Sequence, residues 1–292
     1  MNSSIVMGVD IGGSHITAAL VDLETKQILP KTWLRKHVDA HAEANAIIES
    51  WAELIINVFS HLKSGDKKIG IGIPGPLNYD TGVSFIKNQD KYDNLYGLNL
   101  KDLLSNKIEI PADHIRLMND AASFLQGETF GGAGAHYDSA IGLTLGTGLG
   151  SSWYKKGVAH DADRWNHSFK DSIAEDYLST RWFVQRYFQL SGKKVTDVKT
   201  LVSTAQSNPY IEQLFEEFGT NLAAFLNMFI AIENPEAVIL GGNIAQSFFL
   251  FEDALRVGLQ PQYRTIPILK AKLGEEAVLV GASSLWRENI LT

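Results

Sequence analysis

Three segments of this chain combine residue types suited to phosphate chemistry. Val9-Asp10-Ile11-Gly12-Gly13-Ser14-His15 and Leu145-Gly146-Thr147-Gly148-Leu149-Gly150 each leave an apolar run through glycines and a hydroxyl. Glycines admit positive φ and let backbone amides approach an anion closely, and Ser14 or Thr147 adds a further donor. Two such loops predict a phosphate clamp. Between them in the chain stands Met118-Asn119-Asp120-Ala121, where a short apolar strand meets a helix. Asp120 is therefore the candidate catalytic base, placed at the mouth of a cleft between two domains.

The elements that would position these residues follow from periodicity. Ile5 to Val9, Thr17 to Val21 and Gln27 to Arg35 are expected as three strands joined by tight connections. That is a β-meander rather than a βαβ unit, which disfavours Rossmann and Walker loops, since both run from strand into helix. His41 to Leu62 has helical spacing, Lys68 to Ile73 is a strand, and Pro74-Gly75-Pro76 makes a stiff loop suited to pressing backbone against a ligand. Residues 77 to 98 are expected as an extended hairpin or loop. Ile115 to Met118 then forms a strand and Ala121 to Phe130 a helix.

Ser139 to Leu145 and Ser151 to Tyr154 flank the second glycine loop as a hairpin, so the opening architecture recurs and suggests a duplicated core. Helices are expected at Ile173 to Leu190, Val195 to Ala205 and Ile211 to Ile232, the last with an apolar stripe that belongs to the core. Ala237 to Leu240 is a strand running into Gly241-Gly242-Asn243, and a final helix starts near Leu279.

Composition narrows the function classes. The chain has 292 residues, 45% hydrophobic and 20% charged, enough for a substantial core and two domains. No apolar run is long enough to span a bilayer, and the amino terminus shows neither a basic leader nor a signal region, so a cytoplasmic location without membrane partners is expected. With no cysteine, disulfides, thiol redox chemistry and a Cys-based structural zinc site are excluded. A net charge of −7 opposes nucleic-acid binding and favours a small-molecule partner.

In order along the chain, Asp10-Ile11-Gly12-Gly13-Ser14, Gly72-Ile73-Pro74-Gly75-Pro76, Asn119-Asp120-Ala121, Leu145 to Gly150 and Gly241-Gly242-Asn243 resemble the motifs of the ROK family of sugar kinases and sugar-responsive repressors. The resemblance spans nearly the whole chain. It implies an α/β fold of two actin-like (ribonuclease H-like) domains, a mixed sheet in each and a cleft between them. The expected division is residues 1–118 plus 280–292 against residues 119–279. It also implies ATP-dependent phosphorylation of a hexose, glucose at its 6-hydroxyl being favoured, with Asp120 taking the hydroxyl proton.

In the roles the resemblance implies, Asn119 orients the sugar and Gly75 lines its loop. Gly12, Gly13, Ser14, Gly146, Thr147 and Gly148 hold phosphate, Gly241, Gly242 and Asn243 lie on the adenosine side, and Asp10 holds Mg2+ through water. Asn94, before Leu95-Tyr96-Gly97-Leu98, resembles part of a sugar-binding loop. Asp163 to Asp171 resembles the shortened, zinc-free version of a loop that is Cys-rich in typical members. His167 there aligns with the family histidine and Glu175 with a second sugar-binding glutamate. Arg164 falls where the family carries another glutamate, unless a one-residue shift lets Asp163 serve.

Each residue also has a plain structural reading. Asp120 would be a helix cap, Asp10 a strand-end turn residue, His167 a hydrogen-bonded histidine, Glu175 an exposed carboxylate and Asn94 a turn asparagine. Alternative functions are a sugar-sensing regulator without turnover, a kinase for N-acetylmannosamine, fructose or another hexose, or polyphosphate as donor. The repressor branch carries a helix-turn-helix ahead of its core, whereas four residues precede the first strand here. The absence of a basic track favours ATP over polyphosphate. By resemblance, a homodimer is compatible with the apolar helices after Ile211.

Overall fold

Ile5–Ile11 (β1) and His15–Asp22 (β2) are short apolar runs buried almost throughout, as expected of strands covered on both faces. They form an antiparallel hairpin whose register pairs Asp10 with Thr17 and Ile11 with Ile16. The computed structural model describes residues 4–89, 91–203 and 208–287. Contacts divide the chain into two units. The first holds the chain up to Ala135, with Gly157–Ala159 and the segment from Glu275 onward; the second holds His136–Lys156 and His160–Gly274.

In the first unit, β2 also pairs with Gln27–Ile28 (β3) and Leu34–His37 (β4). The single strand expected from Gln27 to Arg35 is thus two pieces. Thr32 turns the chain between them, its hydroxyl donating to Leu29 C=O and accepting from Leu20 N–H. Ala44–Phe59 (α1) buries Ile47, Ile48, Trp51, Leu54, Ile55, Val58 and Phe59, the face its spacing predicts. Ile69–Ile73 (β5) lies parallel to β1, and Leu100–Ile108 (α2), capped by Asn99, follows the loop. Ile115–Asn119 (β6) lies parallel to β5 and leads into Asp120–Gly131 (α3).

The sheet order is β3-β2-β1-β5-β6. The helix Ala277–Ser283 packs on this sheet and on α3 at backbone contact distance. A Cβ on Gly8 would lie 2.1 Å from Leu279 C=O, and one on Gly127 2.0 Å from Ala277 C=O. This close packing keeps α3 in the first unit, so the division falls after Ala135 instead of after Met118. The described residues between 77 and 98 are irregular apart from isolated bridges such as Leu77 to Ser84 and a 3-10 turn at Asp93–Leu95.

The second unit opens with Ser139–Leu145 (β7) and Leu149–Lys155 (β8), an antiparallel hairpin around the second glycine loop. Val158–Asp161 (β9) completes that edge of the sheet. Ser168–Phe169 (β10) and Ser172–Ile173 (β11) make a two-stranded hairpin, followed by Ala174–Leu178 (α4), Thr180–Ser191 (α5), Val198–Ser203 (α6) and Ile211–Glu233 (α7). The helix expected from Ile173 to Leu190 is broken at Ser179, whose φ of −125° and ψ of 170° are extended. Of the helix expected to reach Ala205, the last two residues lie outside the described residues.

Ala237–Gly241 (β12) lies parallel to β7, and Phe248–Gly258 (α8) precedes Ile268–Lys270 (β13), itself parallel to β12. The order is β13-β12-β7-β8-β9. Each mixed sheet therefore contains an antiparallel hairpin extended on one side by two parallel strands, as the recurring pattern predicts. Phe183, Phe215, Phe218, Phe225, Phe229 and Phe251 fill the core of the second unit. Among the described residues, no helix is long and apolar enough to cross a membrane.

Candidate active site

The first unit gathers its candidate residues at one edge of its sheet. Because β1, β5 and β6 are parallel neighbours, their carboxyl ends emerge together; Asp10 pairs with Gly72, Gly72 with Met118 and Ile73 with Asn119. Neighbouring strands lie about 4.8 Å apart. Asp10, the loop to Gly75 and the Asn119-Asp120 junction therefore form one group. Asn119 caps α3, its Oδ1 accepting from Ala122 N–H at 3.1 Å, while its Nδ2 donates to Tyr79 Oη at 3.4 Å. Asp120 is thus the first helical residue and not the cap, and its Oδ1 accepts from Ala121 N–H at 3.0 Å.

Burial raises the Asp120 pKa above the ordinary carboxylate value, against the positive charge of Lys91 and the Ala121 hydrogen bond. Burial also pushes Asp10 up to about 7, reinforced by the negative charge of Asp120 and opposed by Arg35. Burial thus makes the Asp120 carboxylate a stronger base than an ordinary one. Two close carboxylates also favour a cation between or beside them.

The first glycine loop departs from its expected physics. Neither Gly12 nor Gly13 has positive φ, and neither do Gly146 and Gly148. Gly12 N–H closes the hairpin on His15 C=O at 2.9 Å, and Gly12 C=O accepts from the buried Tyr92 hydroxyl at 2.6 Å. Ser14 Oγ lies 2.8 Å from His15 Nδ1. A Cβ on Gly13 would meet only the Lys91 side chain, at 3.5 Å. Sterics and backbone strain therefore do not require glycine at Gly13, which leaves bare backbone for a ligand.

Lys91 is a residue that sequence reasoning missed. It sits in a polar loop without a motif, and only the fold carries it to Gly13 and Asp120. Gly75 is packed against Tyr79, whose Oη would lie 2.9 Å from an added Cβ. Asn94 donates its amide to the carbonyls of His41 and Ala42 at 3.2 and 3.0 Å, which accounts for it as a turn asparagine.

The second unit gathers the remaining candidates around the carboxyl ends of β7 and β12, where Gly241 pairs with Thr144. Gly242, at φ +84°, crosses Leu145 so closely that a Cβ would lie 2.3 Å from its carbonyl oxygen. This crossing puts Gly241, Gly242 and Asn243 beside Gly146-Thr147-Gly148. Thr147 is exposed, and a Cβ on Gly146 would find nothing within 4 Å.

Glu175 holds this loop in place. One carboxylate oxygen accepts from Leu149 N–H at 3.0 Å and the other from Arg181 at 2.7 Å, while Thr180 N–H donates to Gly146 C=O at 2.8 Å. An exposed helix carboxylate it is not. His167 belongs to the same hydrogen-bonded substructure, since its N–H donates to Arg164 C=O and its C=O accepts from Ala174 N–H. Among the described residues, no group of three or more His, Asp or Glu side chains could hold a metal. A magnesium ion at Asp10 would keep most of its shell as water and phosphate oxygens, which is how that ion is usually held beside nucleotides.

The chain matches the ROK family over residues 6–161 and 171–289, and it belongs to that family. It is 24% identical to an N-acetyl-D-glucosamine kinase of Haemophilus influenzae, over 96% of this chain and 98% of that one. It is also 24% identical to the xylose repressor of Bacillus subtilis, over 98% of this chain and 77% of the repressor. A ROK family glucokinase from Streptomyces griseus, solved in complex with glucose and AMPPNP, superposes with a TM-score of 0.76. Its sequence is 25% identical, over 98% of this chain and all of that one. The fold is that of the actin-like ATPases to which the ROK sugar kinases belong.

Proposed function

We propose that this protein is a sugar kinase that transfers the terminal phosphoryl group of ATP to a hexose hydroxyl, glucose at its 6-position being the simplest acceptor. The observation that carries this reading is Asp120, a carboxylate of raised pKa at the start of α3, grouped with Asp10 and the first glycine loop. The acceptor hydroxyl would give its proton to Asp120 as its oxygen attacks the γ-phosphorus, and ADP would leave. Phosphoryl transfer relies mainly on positioning and charge neutralisation, so a carboxylate suffices as base.

Asn119, its carbonyl committed to the cap, offers only its amide nitrogen to a sugar oxygen. Gly13, Gly146 and Thr147 would face phosphate, Gly242 and Asn243 the adenosine, and Lys91 would offset negative charge near the transferring group. Asp10 would hold magnesium through water, and the ion supplies charge neutralisation on the phosphates when bound. The kinase and glucokinase names of relatives support phosphotransfer as the class of reaction. The test is incubation with MgATP and each of several hexoses, with the product identified by phosphorus NMR; no sugar phosphate from any of them would overturn the proposal.

A second reading, a sugar-sensing regulator, is favoured by the similarity to the xylose repressor and by Arg164. Saturable sugar binding without turnover would select it.

A further inference from the structure

Tyr92 has no exposed surface, and its hydroxyl donates to Gly12 C=O at 2.6 Å across 80 residues of chain. Its backbone N–H donates to Ala40 C=O at 2.8 Å, and its ring meets Trp51 edge-on with centroids 5.4 Å apart. The residues after it are tied as firmly. Asp93 accepts from the N–H groups of Asn88 and Gln89 at 3.0 and 3.3 Å, and Asn94 donates to the His41 and Ala42 carbonyls. Tyr92 nonetheless has φ +57° and ψ 19°, a left-handed backbone that bulky side chains rarely adopt. Such a conformation persists where its surroundings over-determine it. Phenylalanine would fill the same space, so the hydroxyl is the part that calls for a reason. Burial pushes its pKa up to about 12, which keeps it a donor.

The hydrogen bond fixes a peptide plane. The Gly12–Gly13 bond is trans, so turning Gly12 C=O toward Tyr92 points Gly13 N–H the opposite way. Gly13 is exposed, and among the described residues no hydrogen bond uses its N–H. Two successive glycines would otherwise leave that plane free to turn. The same segment sets Lys91, whose Cδ lies 3.5 Å from the place of a Gly13 Cβ and whose charge acts on Asp120. Adjacent residues thus serve one loop, Tyr92 from the buried side and Lys91 beside Gly13.

We infer that Tyr92 is a positioning residue: by holding Gly12 C=O it aims Gly13 N–H at a phosphate oxygen of the nucleotide and sets Lys91 alongside. The inference rests on the phosphate role proposed for the first glycine loop and adds what holds that loop ready. A donor fixed in advance needs no reorganisation when the anion arrives.

The test compares wild type, Tyr92→Phe and Trp51→Phe, reading MgAMPPNP binding by calorimetry, turnover with MgATP and sugar, and thermal unfolding. Tyr92→Phe is expected to weaken MgAMPPNP binding and raise KM for MgATP by about tenfold, the scale of a hydrogen bond to a charged group. Its KM for the sugar should change less than about twofold. Trp51→Phe loosens the packing around the same ring but keeps the hydroxyl, so it should lower Tm while changing nucleotide affinity less than about twofold. In 15N-labelled wild type the Gly13 amide proton should move downfield when MgAMPPNP is added, and in Tyr92→Phe it should move less. Unchanged nucleotide affinity in Tyr92→Phe, or an equal loss in Trp51→Phe, would overturn the inference while wild-type turnover upheld the kinase reading. Tyr92-dependent nucleotide binding without any sugar phosphate formed would overturn the kinase reading alone. No nucleotide binding by the wild type would overturn both. Should Tyr92→Phe not fold, a Gly13 amide in the wild type that ignores the nucleotide still overturns the inference.

Discussion

Asp120 has a neighbouring carboxylate, a raised pKa and one oxygen on Ala121 N–H, a combination a structural cap does not need because Asn119 already caps the helix. Lys91 is the counter-charge the sequence did not announce. Lys91→Met is expected to lower kcat with ATP by about tenfold or more, since a partly desolvated cation near a transferring phosphoryl group acts mainly on the transition state. Stopped-rate assays at saturating ATP read this directly, and an unchanged kcat would remove Lys91 from the site.

Glu175 yields a different signature, because it holds the glycine loop at Leu149 N–H while paired with Arg181. Glu175→Ala should raise KM for ATP by about tenfold, the scale of a lost charge-assisted hydrogen bond. Glu175→Gln, which keeps an acceptor for Leu149, should recover most of that. A rise in sugar KM alone would instead assign Glu175 to the sugar. The motif residues were legible as candidates because several of them recur in a fixed order along the chain, each where an apolar run ends. Glu175's tie to the loop was not, since hydrogen bonds to a loop 26 residues away leave no local pattern in the sequence.

At the scale of elements, helix packing on glycine decides how the first unit closes. A Cβ on Gly281 would sit 1.8 Å from Ser123 C=O. Gly281→Ala should therefore destabilise by at least about 1–3 kcal/mol in urea unfolding, the usual cost of overpacking. In the second unit Arg186 clasps Glu217 through two hydrogen bonds of 2.6 and 2.7 Å, joining α5 to α7. These bonds hold the Glu217 pKa below its ordinary value of 4.5. Stability from the clasp is therefore present above about pH 4.5 and fades as pH falls through the lower folded value. Thermal unfolding from pH 7 to pH 3 should show Glu217→Gln less stable than wild type at pH 7, with the gap closing in acid.

Periodicity read α1 and α7 well, since long amphipathic stretches carry strong signals. It missed α2 and α8 and merged α4 with α5. The break at Ser179 is a backbone choice made where Thr180 N–H reaches Gly146 C=O, a long-range bond without local propensity.

At the scale of the molecule, the repeated sheet pattern was legible from the recurrence of strand, glycine loop and strand. The assignment of α3 to the first unit was not, because it depends on Gly127 and Gly281 meeting across about 150 residues of chain. Both sheets end their parallel strands in candidate residues, Asp10 and Asn119-Asp120 in one, Gly146 to Gly148 and Gly241-Gly242 in the other. Ligand sites at the carboxyl ends of parallel strands are a general feature of α/β sheets. Phosphotransfer by Asp120 is the claim on which these assignments depend.

The most direct test measures ADP release at saturating MgATP and sugar for wild type and Asp120→Asn, with matched thermal stability. The account predicts turnover in the wild type and a loss of at least about 10²-fold in the variant, with sugar binding retained. Equal turnover in the two proteins would contradict it.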